Sequence, residues 1–202
     1  IKKFNGKPLC YWTVKSAAES KLVDEVYVST DSKKIIQIVE SFELPKVKTF
    51  HRSKRTSTDT SSTESAMLEI INGLNFDIES VFILIQATSP FTSSKDLDEG
   101  IQKLSSGNSV LSVCNFKRFI WNKTGPINYD YLNRRRRQDQ IGYFIENGAF
   151  YISYISDILK TKSRISGNIK FQIMSEETSI EIDSELDWQI AEFLHAKKNH
   201  II

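Results

Sequence analysis

The stretch Ser80 to Pro90, SVFILIQATSP, decides the fold. Ser80 to Gln86 is a nearly continuous apolar run, the pattern of a strand covered on both faces in a parallel sheet. Its aliphatic centre, Val81-Phe82-Ile83-Leu84-Ile85, is far too short to span a membrane. It stops at the turn Ala87-Thr88-Ser89-Pro90. Upstream, a helix through Met67, Ile70, Ile71 and Leu74 follows a Ser/Thr-rich stretch from Thr56 to Thr63. Before that come a short extended segment, Val47 to His51, and a helix with Ile35, Ile36 and Val39 on one face, capped by Ser29, Thr30 or Asp31. A strand from Asp24 to Ser29 precedes it, and Pro8 opens a first helix through Leu9, Trp12, Thr13 and Ala17. Downstream, Asp96 to Leu104 reads as helix and Ser109 to Val113 as strand. Strand and helix in this alternation predict a three-layer α/β domain with a mostly parallel sheet and right-handed crossovers.

The rhythm breaks at Phe116 to Gln140, which is polar, aromatic and basic, and resumes with strands at Asn147 to Tyr154 and Ile169 to Met174. A last helix from Ser184 carries Leu186, Ile190, Phe193 and Leu194 at helical spacing, predicting that this face is buried. The whole reads as one domain with an inserted arm.

Composition narrows the function. The 202 residues hold 27 Lys+Arg against 25 Asp+Glu, a formal net charge of +2, with 40% hydrophobic and 26% charged residues. That suits a globular protein, and no secretory or transit leader is evident, so a cytoplasmic location without membrane attachment is expected. A near-neutral chain is a poor general nucleic-acid binder. Cys10 and Cys114 are too few for a disulfide framework or zinc site, and His51, His195 and His200, which sit beside ordinary surface residues, form no metal-ligand spacing with them and suggest no Ser-His-Asp or Cys-His arrangement. The small net charge conceals segregation. Lys33 to Arg55 holds seven basic and two acidic residues, Lys117 to Arg137 seven basic and one acidic, and Glu176 to Asp187 six acidic and none basic. Solvated surface accounts for such blocks, and so does a site that handles a polyphosphate with a divalent cation.

Ligands of open parallel sheets bind at the carboxyl ends of the strands, which selects Asp31, Arg52 and Gln86-Ala87-Thr88-Ser89. No G-x-G-x-x-G or Walker A loop is present. In Ser179-Ile180-Glu181-Ile182-Asp183, an extended backbone puts Glu181 and Asp183 on one face and the isoleucines on the other. Two carboxylates on one face suit Mg²⁺; an edge strand showing its solvent face, with Asp183 or Ser184 capping the last helix, is the plainer reading. Arg134-Arg135-Arg136-Arg137-Gln138 suits a solvated loop, a nucleic-acid patch, or an arm that grips a carboxylate or phosphate. Asn147-Gly148-Ala149-Phe150-Tyr151 sets an amide and a phenol beside a glycine, as a bulged core strand or a binding edge would.

Six motifs in order resemble the acylneuraminate cytidylyltransferases: Asn5-Gly6-Lys7-Pro8-Leu9, Val28-Ser29-Thr30-Asp31, Leu84-Ile85-Gln86-Ala87-Thr88-Ser89-Pro90, Arg136-Arg137-Gln138-Asp139, Glu146-Asn147-Gly148-Ala149-Phe150-Tyr151 and Ser179-Ile180-Glu181-Ile182-Asp183. The resemblance covers essentially the whole chain. It implies a Rossmann-like, nucleotide-diphospho-sugar transferase type of fold. It also implies a reaction of CTP with a nonulosonic (sialic-type) acid, giving a CMP-sugar for cell-surface polysaccharide and pyrophosphate. On that resemblance Glu181 and Asp183 are the catalytic pair and hold Mg²⁺ (or Mn²⁺). Arg52 and Ser62 contact the nucleotide, and Gln86, Thr88 and Ser89 line the pocket at the strand end. Arg137, Gln138, Asn147 and Tyr151 hold the sugar acid, with Arg137 against its carboxylate. A homodimer is implied, its arm at about residues 116–171 completing the neighbour's site.

Four departures accompany the resemblance. Ala87 replaces the usual Pro, and Glu181 replaces the first Asp of the usual Asp-x-Asp pair. The family's opening strand and phosphate loop would precede Ile1, so the 202 residues alone are expected to be inactive and poorly stable. Arg164-Ile165 also stands where some sialic acid enzymes carry a more aromatic pair. Alternatives are a cytidylyltransferase for a legionaminic-type sugar, KDN or 3-deoxyoctulosonate, a non-catalytic nucleotide-binding, dimerising homologue, and an RNA-binding protein using Arg134 to Arg137.

Overall fold

A computed structural model of the chain describes residues 1–139, 142–178 and 180–199. Ser179 of the acidic motif, Gln140 at the end of the polar stretch and His200 lie outside the described residues. The chain opens with a small hairpin, Lys3–Phe4 against Lys7–Pro8, that turns at Asn5-Gly6. Helix α1 (Leu9–Glu19) follows, with Pro8 as its N-cap rather than its first helical residue. Strand β1 (Val26–Thr30), helix α2 (Lys33–Glu40) and strand β2 (Val47–His51) form a βαβ unit whose strands pair in parallel. The cap of α2 is Ser32, one residue beyond the expected candidates; its Oγ accepts from Ile35 N at 3.4 Å.

Helix α3 (Thr63–Leu74) leads to β3 (Val81–Ile85), the strand of the deciding run, and then to α4 (Ser94–Gln102). The N-terminus of α4 is a reciprocal cap: Asp96 N donates to Ser93 Oγ at 3.2 Å, and Ser93 N donates to Asp96 Oδ2 at 3.1 Å. Removing that cap with Ser93→Ala should lower stability by about 1 kcal/mol, read as a fall in melting temperature. Little loss would mean that packing alone holds this end of the helix.

Strand β4 (Asn108–Phe116), the long β5 (Tyr143–Tyr154), helix α5 (Ile155–Thr161), β6 (Asn168–Met174) and helix α6 (Glu185–Asn199) complete the fold. The main sheet has the order β6-β4-β5-β3. β6 and β4 pair in parallel, while β5 runs antiparallel to both its neighbours. Thus β3, β4 and β6 share the expected direction and β5 reverses it, making the sheet mixed. Of the arm expected over residues 116–171, residues 117–139 lie outside the sheet, with a hairpin at Trp121–Asn122 and Gly125–Pro126. Residues from Tyr143 onward are built into it.

Val81 at the start of β3 is exposed, and from Phe82 onward successive, partly buried residues alternate between the two faces of the sheet. Ile83 and Ile85 pack with Ala17, Leu97, Val110, Phe150 and Ile152 beneath α1 and α4. Phe82 joins Met67, Ile71, Ile155 and Ile158 of α3 and α5, and Leu84 joins Leu111 and Tyr151. Helices therefore cover the sheet on both sides.

Helix α6 has the expected period, but of the four residues expected on its buried face only Leu194 packs into the core. Leu186, Ile190 and Phe193 are 65%, 42% and 68% exposed, whereas Trp188 and Ala191 are buried against Phe4, Phe91 and Ile182. The aromatic Phe4 of the opening hairpin supplies that partner surface, and it selects the face carrying Trp188 and His195. His195 is buried, with its ring 5.2 Å from Phe4 and 4.2 Å from Trp12. No helix among the described residues is long and apolar enough to cross a membrane.

Candidate active site

The carboxyl end of β3 is tied to two other segments by backbone hydrogen bonds. Gln86 N donates to Ala149 O at 3.1 Å, joining it to β5, and Ile182 N donates to Thr88 O at 3.0 Å, joining it to the acidic segment. Ile180 and Ile182 pack into the core beside Phe4 and Trp188, so Glu181 lies on the opposite side, as the alternation predicts. The Glu181 carboxylate accepts from Thr88 Oγ1 at 3.4 Å. The Gln86 amide, oriented by its partners, donates to Glu181 Oε1 at 2.8 Å and to Gly148 O. Ser89 is 1% exposed, its N–H closing the turn onto Gln86 O; its Oγ has no hydrogen-bond partner among the described residues.

Gly148 makes this convergence possible. Its φ is +65°, and a β-carbon there would lie 2.5 Å from the Gln86 amide and 2.7 Å from Glu181 Oε2. The glycine sits in a bulge: Leu111 pairs with Tyr151 and Val113 with Glu146, so two steps on β4 match five on β5. Ser112 Oγ accepts the Phe150 N–H at 2.9 Å, satisfying a donor that the ladder leaves over.

The bulge also explains a pairing that simple alternation hides. Five residues apart on a regular strand, Glu146 and Tyr151 would face opposite ways. Here Tyr151 Oη donates to the Glu146 carboxylate. Burial first, and then that hydrogen bond and the Glu146 charge, push the Tyr151 phenol up to about 12, so it remains a donor at neutral pH. The Glu181 carboxyl is held above the usual carboxylate range, by burial first and then by the nearby charge of Asp183, with a smaller push from Glu146; the Thr88 bond opposes them. Three acidic groups therefore share one neighbourhood. Among the described residues no group of three His, Cys, Asp or Glu side chains forms a metal site by itself.

The remaining candidates lie elsewhere. Arg52, just past β2, donates its backbone N–H to Thr30 O at 2.9 Å and its Nε to Ser57 Oγ at 3.0 Å. Ser62 is the N-cap of α3, its Oγ accepting from Ser65 N at 3.1 Å. Asn147 is buried, its Nδ2 donating to Met174 Sδ at 3.2 Å and its Oδ1 accepting from Ala149 N at 3.4 Å. Arg137 and Gln138 are exposed in a short helical turn of the arm, where Arg137 Nε donates to Lys117 O at 3.3 Å. With Arg118, Phe119, Trp121, Tyr129 and the other three arginines of the run, Arg137 lines an open cavity of about 710 Å³. Glu64 and Glu146 carry no site role in the sequence reading, and Arg164 enters it only as half of the pair that replaces two aromatic residues; Glu146 opens a motif whose assigned site residues, Asn147 and Tyr151, lie further along.

Residues 1–198 match a family model described as cytidylyltransferase. The chain belongs to the cytidylyltransferase family. It is 34% identical over 202 residues to an N-acylneuraminate cytidylyltransferase of Oncorhynchus mykiss, covering 95% of this chain and 45% of the relative. A CMP-N,N'-diacetyllegionaminic acid synthase of Legionella pneumophila is 28% identical over 204 residues, covering 94% and 85%. The chain spans about half the length of the first curated relatives it matches. A solved CMP:2-keto-3-deoxy-manno-octonic acid synthetase complexed with CTP shares the fold, with a TM-score of 0.68 at 17% identity, covering 98% of this chain and 91% of that one. The cytidylyltransferase fold thus accounts for the mixed sheet with helices on both sides.

Proposed function

We propose that the full-length protein containing this chain joins CTP to a nonulosonic, sialic-type acid, releasing pyrophosphate and a CMP-sugar. The observation that carries the reading is the convergence of Gln86, Thr88, Gly148 and Glu181 at the carboxyl end of β3, in a chain of the cytidylyltransferase family. The anomeric hydroxyl of the acid attacks the α-phosphorus; a new P–O bond forms, the bond to the β-phosphate breaks, and the hydroxyl proton is lost. Such a transfer depends on positioning and charge neutralisation more than on covalent catalysis by the protein.

The donor set at Glu181 and Asp183 fits Mg²⁺ or Mn²⁺, because both groups offer hard carboxylate oxygens and repel one another without a cation. Mg²⁺ commonly takes one or two carboxylates and completes its shell with waters and substrate phosphates, so the pair needs no third protein ligand. When bound, the ion supplies charge neutralisation for the phosphates. Gln86 and Thr88 hold the Glu181 carboxylate by hydrogen bonds, and Tyr151 holds that of Glu146. Arg52 and Ser62 serve the nucleotide, while Ser89, Asn147, Tyr151, Arg137 and Gln138 serve the acid and its pocket.

A cytoplasmic homodimer is part of the same proposal. Phe144, Phe171 and Ile173 are 44%, 41% and 47% exposed beside the arm, with the Phe144 and Phe171 rings 5.2 Å apart, an apolar patch of the kind that partner subunits cover. Dimerisation would bring Arg137 of one arm to the partner's acid site.

The test is pyrophosphate release from CTP by the full-length protein with Mg²⁺ and a panel of acids that includes sialic, legionaminic-type, KDN and 3-deoxyoctulosonate substrates. Release with a nine-carbon acid is expected. A folded protein that turns over none of them sinks the proposal, and turnover restricted to 3-deoxyoctulosonate would reassign the substrate.

A further inference from the structure

A chain of contacts leads from the N-terminus of α3 to the carboxylates around Glu181. Glu64, in the first turn of α3 and two residues beyond Ser62, accepts from Arg164 Nε at 2.6 Å. The Arg164 guanidinium lies 5.0 Å from the centre of the Tyr151 ring. Tyr151 in turn donates to Glu146. The two charged partners are largely enclosed, with side chains 20% and 29% exposed for Arg164 and Glu64.

Backbone contacts hold the arginine in place. Ser153 Oγ donates to Arg164 O at 2.9 Å, and Ser166 N donates to Ser109 Oγ at 2.8 Å, so both strands beneath clamp the segment between α5 and β6. Ser109 and Ser153 are themselves 0% and 1% exposed and hydrogen-bonded to each other at 2.9 Å. The arginine is thus held at its carbonyl, at its Nε and over a ring. A guanidinium plane on an aromatic face is also a specific geometry that lysine does not reproduce.

We propose that Arg164, oriented by Glu64, is a positioning residue for the acid-binding side of the site: it holds Tyr151 against Glu146 and ties that side to the nucleotide side at the start of α3. The inference rests on the cytidylyltransferase reading, and on Tyr151 contacting the acid. The position of Arg164 then governs which acid substituents Tyr151 can accommodate. Glu64 acts only through Arg164, so its removal has no further effect once Arg164 is gone.

The experiment compares Arg164→Met, Arg164→Lys, Glu64→Gln and the Met/Gln double variant in the full-length protein, by steady-state kinetics with CTP and the acid that the wild type accepts. Arg164→Met should raise KM for the acid roughly tenfold, with a smaller change in kcat and KM for CTP within about twofold. Glu64→Gln should shift the acid KM in the same direction by less, and the double variant should match Arg164→Met alone. Arg164→Lys should fall between wild type and Arg164→Met. Thermal unfolding separates folding from function, and if Arg164→Met fails to fold, Glu64→Gln and Arg164→Lys carry the same KM test. A lowered melting temperature with an unchanged acid KM overturns the inference alone. A wild type inactive with every acid overturns the cytidylyltransferase reading, and this inference with it.

Discussion

Gly148→Ala is expected to lower activity about 100-fold or more and to destabilise the protein at the same time. The φ of +65° costs an L-residue about 1–2 kcal/mol. A methyl group at 2.5 Å from the Gln86 amide and 2.7 Å from Glu181 Oε2 cannot stay where ideal geometry puts it. Either the β5 bulge withdraws or Gln86 and Glu181 move, and forced repacking of that kind costs about 1–3 kcal/mol more. Displacement of catalytic groups by about 1 Å is enough for a 100-fold loss. Gly107→Ala separates the two effects. Gly107 also has a positive φ, +78°, but nothing lies within 4 Å of its β-carbon position, so it should lose stability by strain alone and keep its kcat. Rates of pyrophosphate release and melting temperatures for the two variants check this; equal activities would show that the crowding at Gly148 is harmless.

The same glycine marks where sequence reading reaches its limit. Period-two alternation correctly sends Ile180 and Ile182 inward and Glu181 outward, because that segment is short, extended and pinned to Thr88. It separates Glu146 from Tyr151, because the extra residues opposite Ser112 reverse the facing of the strand, and nothing in local composition announces a bulge of that size. The apolar run Val81–Ile85 correctly predicts a strand with both faces covered. The reversal of β5 has a topological origin: β4 reaches it through the arm without a crossover helix, and parallel pairing would require one. In α6 the helical period is legible and the phase only in part, since of the expected face only Leu194 packs inward. Leu186, Ile190 and Phe193 are as apolar as Trp188 and Ala191, and only the docking of Phe4, some 180 residues earlier in the chain, distinguishes the two faces. The Glu64–Arg164 contact is equally remote, since neither residue belongs to a motif and 100 positions separate them.

Asp183→Asn should remove Mg²⁺-dependent activity by about 100- to 1,000-fold while leaving the fold intact. The reason is a conflict built into the site. Glu181 is partly buried, and Asp183 and Glu146 both add negative charge near it. Without a cation that arrangement is repulsive, so neutralising Asp183 should leave the melting temperature unchanged or raised in metal-free buffer. Adding Mg²⁺ with CTP should stabilise the wild type, since a ligand that binds only the native state raises stability as its concentration exceeds its Kd. The variant should gain much less. Glu181→Gln tests the other half of the pair and should also depress kcat, though Gln86 and Thr88 would need to reorient around an amide. Opposite movements of activity and metal-free stability are what a metal pair predicts, whereas a solvent-facing edge strand predicts neither. An Asp183→Asn protein with wild-type turnover would place the metal elsewhere and leave Asp183 as a surface residue ahead of the Ser184 cap of α6, whose Oγ accepts from Asp187 N at 3.2 Å.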